Sequence, residues 1–206
     1  MSLKIMMFSD FVCPFCYIGF EVLRKLKPEF DIELQWRGFQ IHPEWPPEGM
    51  APELFYQSMG AERRRAVWQN IQALADEINL AIKPPPILVN SRLALEAAEF
   101  ADEANLGEAF EERVYMAYFQ EGANIGDPDV IGALAGDVGL DRAAAESALR
   151  SGRYSLKLKN TAMVAHNRDV SGVPTFFIGQ LPLVGAQSPD VMRKLIARAI
   201  ERSAAN

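Results

Sequence analysis

The chain reads as an α/β protein in which a β-α-β unit and a β-β-α unit, at 1–49 and 170–206, form one sheet-containing domain around a large all-helical insertion at 50–169. Three observations predict this. Apolar runs with the length or alternation of strands fall near the two ends. The span between them carries apolar stripes at helical spacing instead. The only two cysteines of the 206 residues, Cys13 and Cys16, stand where the first strand hands over to the first helix.

Lys4-Ile5-Met6-Met7-Phe8-Ser9 is short, apolar and bounded by polar residues, which suits a buried strand. Phe15, Ile18, Val22 and Leu26 then recur at helical spacing. Pro14 fits the first turn of that helix, where its missing N–H costs nothing, and Pro28 ends it. Ile32, Leu34 and Trp36 alternate with Glu33, Gln35 and Arg37, the pattern of a half-buried strand. Strand, helix, strand implies a right-handed crossover and parallel pairing. The prolines of His42-Pro43-Glu44-Trp45-Pro46-Pro47-Glu48-Gly49 make a rigid, non-helical loop.

In the middle, Val67, Ile71, Leu74 and Ile78 form one apolar stripe, and Pro84-Pro85-Pro86 interrupts the chain. Ser91 is placed to cap a helix carrying Leu93, Ala94, Ala97, Ala98 and Ala101. Glycines divide further helices near 107–121, 128–138, 141–151 and 153–168. In the tail, Val173–Ile178 is a strand opened by Pro174, Gly179-Gln180 a turn, and Leu181–Val184 a second strand. Ser188 caps a last helix with Pro189 at its first position. Val191, Leu195, Ala199 and Ile200 supply its apolar face, while Arg193, Lys194, Arg198 and Arg202 point mostly outward.

Composition narrows the function. The chain is 49% hydrophobic and 23% charged, enough to bury a substantial core. A formal net charge of −6 argues against nucleic acid as a partner. Arg63-Arg64-Arg65, the densest positive run, reads as a solvated helix face. No stretch approaches the length of a membrane span, and the early apolar run is too short for a secretory signal. A cytoplasmic protein without membrane attachment is expected.

The cysteine spacing carries the chemistry. Free cysteines are often inert core residues, but two at this spacing, with proline between them on a strand-to-helix turn, fit a redox pair better. A structural zinc site needs about four ligands, and beyond this pair there are only His42 and His166. A purely structural bridge would close a very short loop and stabilise little. Cys13 falls at or just before the helix N-terminus, where free N–H groups and the helix dipole favour a thiolate, the attacking species. Cys16 lies one turn further in, on the face that can return to Cys13. Cys13 is thus expected to attack and Cys16 to resolve. Pro14-Phe15 between them brings no cation, so a less extreme oxidant than a Cys-Pro-His-Cys enzyme is expected.

Gly172-Val173-Pro174-Thr175-Phe176 is the second signal. Proline is at home at the first residue of a strand. Alternatively a cis Val173–Pro174 bond would turn the Val173 backbone toward the cysteines, where a substrate strand could pair with it. Pro14, Phe15 and Val173 are the candidate substrate contacts. Tyr17, His42 and Asp10 lie near the motif, with core packing, a loop position and the strand end as their plainer roles.

Together these features resemble the DsbA-like thioredoxin-fold family, and most closely its FrnE-type branch. The resemblance rests on Asp10-Phe11-Val12-Cys13-Pro14-Phe15-Cys16-Tyr17-Ile18-Gly19, on Trp36-Arg37-Gly38-Phe39 followed by His42-Pro43 and Pro46-Pro47-Glu48-Gly49, on Gly172-Val173-Pro174-Thr175-Phe176, and on Gly185-Ala186-Gln187 before the last helix. It spans essentially the whole chain, with the helical block its least specific part. It implies a thioredoxin-like fold with Cys13 as nucleophile, Cys16 as resolver and Pro174 as a cis-proline facing them. The implied activity is that of a thiol–disulfide oxidoreductase or isomerase acting on disulfide-containing proteins or small molecules, with a thiol redox partner. No bound cofactor is implied; glutathione would serve as redox co-substrate. Related 2-hydroxychromene-2-carboxylate isomerases and kappa-class glutathione transferases offer a glutathione-dependent alternative. They characteristically carry serine where Cys13 stands. Glutathione would then lie along Val173, with a carboxylate at the N–H groups of Ser188 and Asp190. A non-catalytic binding module is the third reading.

Overall fold

The computed structural model describes residues 2–57 and 59–204. β1 (Leu3–Ser9), α1 (Pro14–Leu26) and β2 (Ile32–Gly38) form the expected opening unit. β1 and β2 pair in parallel, from Leu3 opposite Ile32 to Ser9 opposite Gly38. β3 (Thr175–Ile178) runs antiparallel on the other side of β1, and β4 (Leu181–Val184) antiparallel on β3. The order is therefore β2-β1-β3-β4. β1, central and covered on both faces, fully buries Ile5, Met7 and Phe8; a strand in that position reads as a continuous apolar run.

α1 starts at Pro14 and gives way to turns after Leu26, so that Pro28 lies beyond its end. Gly19 lets it approach the sheet: a Cβ there would stand 2.7 Å from Cζ of Phe176 on β3. α9 (Pro189–Ala204) packs against α1 and β3. Ser188 Oγ accepts from Val191 N at 3.4 Å, as a capping serine does. The buried residues of α9 are Met192 and Ile196, whereas Val191 and Ile200 are exposed. The inward stripe thus runs 192, 195, 196, 199. The sequence reading was rotated by about one residue because both registers carry apolar side chains at helical spacing.

Between β2 and β3 lie α2 (Pro52–Tyr56), α3 (Ala61–Asp76), α4 (Arg92–Glu103), α5 (Gly107–Met116), α6 (Pro128–Asp137), α7 (Arg142–Arg150) and α8 (Ser155–Asn167). α5 runs on into a π-helical turn at Ala117–Glu121, which periodicity did not reveal. α4 to α7 pack together, and α4 and α8 reach β2. Phe110, Val114, Tyr115 and Ile131 join Ile5, Phe20 and Phe176 in one continuous core. Ile78, expected on the α3 stripe, is buried just past the end of that helix.

Two local expectations need correction. Ser91 is the residue before α4 but makes no side-chain capping bond; Asn90 Oδ1 accepts from Arg92 N at 3.0 Å instead, and the Ser91 side chain is buried. Arg64 is not simply solvated. Its guanidinium lies over the Tyr56 ring at 5.1 Å and pairs with Glu53 at 3.8 Å. An exposed-looking arginine run conceals such a contact because its aromatic partner sits on the preceding helix.

Candidate functional site

β1 delivers the chain to the cysteines through one tight turn. Asp10 is fully buried, and its main-chain oxygen accepts from Cys13 N at 3.2 Å. Its carboxylate accepts from Val12 N at 3.4 Å and from Ile41 N at 2.8 Å. Burial raises the Asp10 carboxyl above its ordinary range, against the pull of these N–H groups and of Ser91. Asp10 thus ties the loop after β2 to the turn that carries Cys13, a role beyond ending the strand.

Cys13 is the N-cap of α1, with extended backbone and Pro14 next to it. Its main-chain oxygen accepts from Cys16 N at 3.0 Å and Tyr17 N at 3.3 Å. No side chain caps this helix end, so the cysteine sulfur occupies the place where anions are favoured. Cys16 is completely buried one turn in, while Cys13 keeps a sliver of exposure. Both are free thiols. Burial, and next the neighbouring Cys13, push the Cys16 thiol well above its ordinary value; the Ser9 hydroxyl and the Asp10 backbone oppose this. One thiol is therefore reachable and the other protected.

The Val173–Pro174 peptide is cis. Pro174 is buried, Val173 half-buried, and the Cys13 thiol donates to the Val173 carbonyl at 3.7 Å. Two segments 160 residues apart in the chain thus meet at one sulfur. β3 continues from this point, and its pairing with β4 is extended by Gly185 N donating to Pro174 O at 2.8 Å.

A cavity of about 130 Å³ opens beside Cys13 and Pro14. Its wall is aromatic. His42 stacks on Trp45 with ring centroids 4.0 Å apart, and Phe55 meets both rings edge-on at 5.1 Å. Tyr56 and Trp68 join the lining from α2 and α3, beside the aliphatic Val12, Ile41 and Leu88. Nδ1 of His42 lies 2.9 Å from Glu44 Oε1, which fixes the ring plane. Sequence reading gave His42 a plain loop role and passed over Trp45, Phe55, Tyr56 and Trp68. The available signal was a dense run of aromatics around the proline loop, without helical or strand period to explain it. Phe15, a predicted contact, is half-buried against the core and stands outside this lining. Tyr17 keeps its plainer role: it is buried, stacks on Tyr115 at 5.0 Å and accepts from Gln120 at 2.7 Å.

A larger hollow, about 630 Å³, lies between the β3–β4 turn and α9, with neither cysteine in its wall. Among the described residues no cluster of three or more His, Cys, Asp or Glu could hold a metal ion, and no helix is long and apolar enough to cross a membrane.

Comparison with known proteins matches this fold. The uncharacterized protein YwbO of Bacillus subtilis is 33% identical over 201 residues, covering 96% of this chain and 97% of its own length. A probable DsbA oxidoreductase from Streptomyces coelicolor superposes with a TM-score of 0.87 at 23% identity, over 97% of this chain and 90% of that one. A 2-hydroxychromene-2-carboxylate isomerase gives a TM-score of 0.80 at 19% identity, over 98% of both chains. The cytosolic disulfide reductase DsbM from Pseudomonas aeruginosa, determined with GSH, gives 0.72 at 16%, over 97% of this chain and all of that one. These likenesses establish a shared fold across proteins of different described activity. The model of the DsbA-like thioredoxin domain matches residues 4–197, and with that span matched the chain belongs to the DsbA-like thioredoxin domain family.

Proposed function

We propose that this protein is a thiol–disulfide oxidoreductase or isomerase in which Cys13 attacks and Cys16 resolves. The observation that carries the reading is the placement of Cys13: an uncapped helix N-terminus, a thiol 3.7 Å from the Val173 carbonyl, and Cys16 buried one turn behind it. The Cys13 thiolate attacks one sulfur of a substrate disulfide, and the other sulfur leaves with the electron pair. Cys16 then attacks Cys13, closes the Cys13–Cys16 bond and releases the substrate as a thiol. The reverse sequence inserts a disulfide. The Val173 backbone is the edge along which an extended substrate would lie.

The aromatic cavity adds a preference. Its size suits one apolar side chain or ring, not a whole ligand. A disulfide flanked by a bulky apolar group therefore fits better than one flanked by charges. Proteins and small molecules both supply such disulfides; the cytoplasm is the proposed compartment and a glutathione-type thiol the proposed partner.

Equilibration across a range of glutathione redox ratios, followed by intact mass, tests this. A loss of two hydrogens with a defined midpoint is expected, and the midpoint places the protein as reductant, isomerase or oxidant. A stable glutathione adduct, or no change in mass, would overturn the dithiol cycle in favour of the glutathione-dependent isomerase or transferase reading.

A further inference from the structure

His42 sits in a loop, yet the structure holds it far more closely than a plain loop residue needs. The chain around it is fixed on both sides. Ile41 N donates to the buried Asp10 carboxylate at 2.8 Å. Asn90 Nδ2 donates to the Pro43 and Trp45 carbonyls at 3.2 and 2.8 Å, and Asn90 Oδ1 accepts from Gln40 at 2.7 Å. Trp45 N closes the turn on the His42 carbonyl at 3.2 Å. The ring is held as well. It lies on the buried Trp45 indole, with centroids 4.0 Å apart and planes within 4° of parallel. Phe55 meets it edge-on at 5.1 Å, and Nδ1 lies 2.9 Å from Glu44 Oε1.

The bond to Glu44 settles which nitrogen is left to work. An ionised carboxylate accepts and cannot donate, so the hydrogen of that bond sits on Nδ1. Nε2 makes no hydrogen bond to another described residue. Protonated it donates, and neutral it accepts. His42 and Cys13 stand in the wall of the same cavity of about 130 Å³. A space that small holds one side-chain-sized group, so a substrate group seated there lies against both. The histidine side chain keeps 24% of its surface open, so the ring is reachable without rearrangement. The titratable groups around it are Glu44 on its own loop, Asp10 beneath Ile41, Cys13 at the start of α1 and Tyr56 from α2. Of the side chains in the cavity wall, only Tyr56 could rival His42 as a proton donor to a substrate.

We propose that His42 is a catalytic acid for the exchange: Nε2–H donates to the sulfur that leaves when Cys13 attacks a substrate disulfide. This rests on the reading of Cys13 as the attacking thiol. Glu44 and Trp45 are positioning residues that hold the ring in place before the substrate arrives. The step balances. The Cys13 sulfur supplies the electron pair of the new bond to the nearer substrate sulfur, and the substrate S–S bond breaks. The departing sulfur keeps that pair and takes the Nε2 proton. His42 is left neutral and regains a proton from solvent. A weakly basic thiolate leaves unaided, whereas a strongly basic alkyl thiolate gains most from a donor. The effect of His42 therefore depends on the leaving group, which a packing role would not.

The test compares two leaving groups. Cys16→Ser holds the reaction at the mixed disulfide, and intact mass after an acid quench times its formation. Dithiobis(nitrobenzoate) supplies a weakly basic leaving thiolate and bis(2-hydroxyethyl) disulfide an alkyl one. Both are run at about pH 6, where ordinary histidine side chains are mostly protonated. Adding His42→Phe, which keeps a stacking ring and removes Nε2, should slow the alkyl reaction about tenfold to hundredfold more than the nitrobenzoate reaction. That is the worth of a charge-assisted hydrogen bond to the leaving sulfur. Glu44→Ala should shift the ratio of the two rates the same way by less. Tyr56→Phe should move both rates together. Equal losses for the two disulfides in His42→Phe, no loss in either, or a selective loss in Tyr56→Phe instead would overturn the assignment. If His42→Phe fails to fold by circular dichroism, His42→Asn decides by the same ratio. If Cys16→Ser forms no adduct with either disulfide, the reading of Cys13 falls, and the role of His42 with it.

Discussion

Beneath Cys13, β1, α1 and β3 bury most of their side chains, whereas above it α2 buries none and α3 only Ile71 and Ala75. The two regions flank Cys13 with different packing. The floor places the cysteines, Val173 and Pro174 on elements tied by the sheet ladder and by the Asp10 bonds to Val12 and Ile41. The roof offers Phe55, Tyr56 and Trp68 as half-buried rings, with Leu54 of the same helix exposed. Few buried apolar contacts make a segment cheap to open locally. Under the proposed function, chemistry would fall to the rigid part and substrate choice to the part that can adjust.

The hardest test of that division is Cys13→Ser. It removes the attacking sulfur and leaves the floor's packing in place. Turnover of every disulfide substrate should fall to background while the thermal midpoint stays within a few degrees of the wild type. Residual turnover would break the assignment of chemistry to this residue.

Gly19→Ala probes the floor itself. The new methyl would stand 2.7 Å from Phe176 Cζ, and Phe176 is fully buried. Overpacking of this kind costs about 1–3 kcal/mol, against roughly 1 kcal/mol regained from helix propensity. A net loss of up to about 2 kcal/mol is expected in chemical denaturation. Activity should fall as well, because Phe176 lies two residues from Pro174 on the segment that faces Cys13.

Trp68→Ala and Phe55→Ala probe the roof. For a peptide disulfide flanked by a bulky apolar residue, KM should rise by about threefold to tenfold, since one apolar contact of this size is worth roughly 1 kcal/mol. A disulfide flanked by glycine should show little change. Stability should shift by less than about 1 kcal/mol, as expected for side chains already half in solvent. Equal losses for both substrates would erase the distinction between floor and roof.

Much of the floor was legible in sequence because its causes are local. The apolar run of β1, the proline after Cys13 and the alternation of β2 each act within a few residues. Pro174 was legible as a strand start, and its meeting with Cys13 as what the family resemblance implied. The roof was not legible. Trp45, Phe55 and Trp68 face one cavity because a proline loop and two helices fold back over α1, and no periodicity in the chain encodes that return. The hydrogen bond between Tyr115 and Ser9 was invisible for the same reason. Tyr115 lies on α5 among ordinary helical residues, and only the packing of α5 against α1 brings its hydroxyl to Ser9.

A helix packed on the floor also carries a group that works against the fold, and this gives the smallest expected effect. Glu111 of α5 is buried beside Trp36 and Arg37 of β2, along a groove shared with Asp102 and Glu108. Burial first, and then the Glu108 and Asp102 carboxylates, raise its carboxyl well above 4.5, with Lys27 opposing. A carboxyl raised on folding contributes stability that is fully present below its unfolded value and is lost as pH rises through its folded value. At neutral pH Glu111 therefore weakens the fold. Glu111→Gln keeps the shape and removes the charge, so its thermal midpoint should lie above that of the wild type near pH 7. The gap should close as pH falls toward about 4, where the wild-type carboxyl is protonated as well. Thermal unfolding of both proteins over that range measures it. A gap that stays constant with pH would mean that packing at this position, not charge, limits the floor.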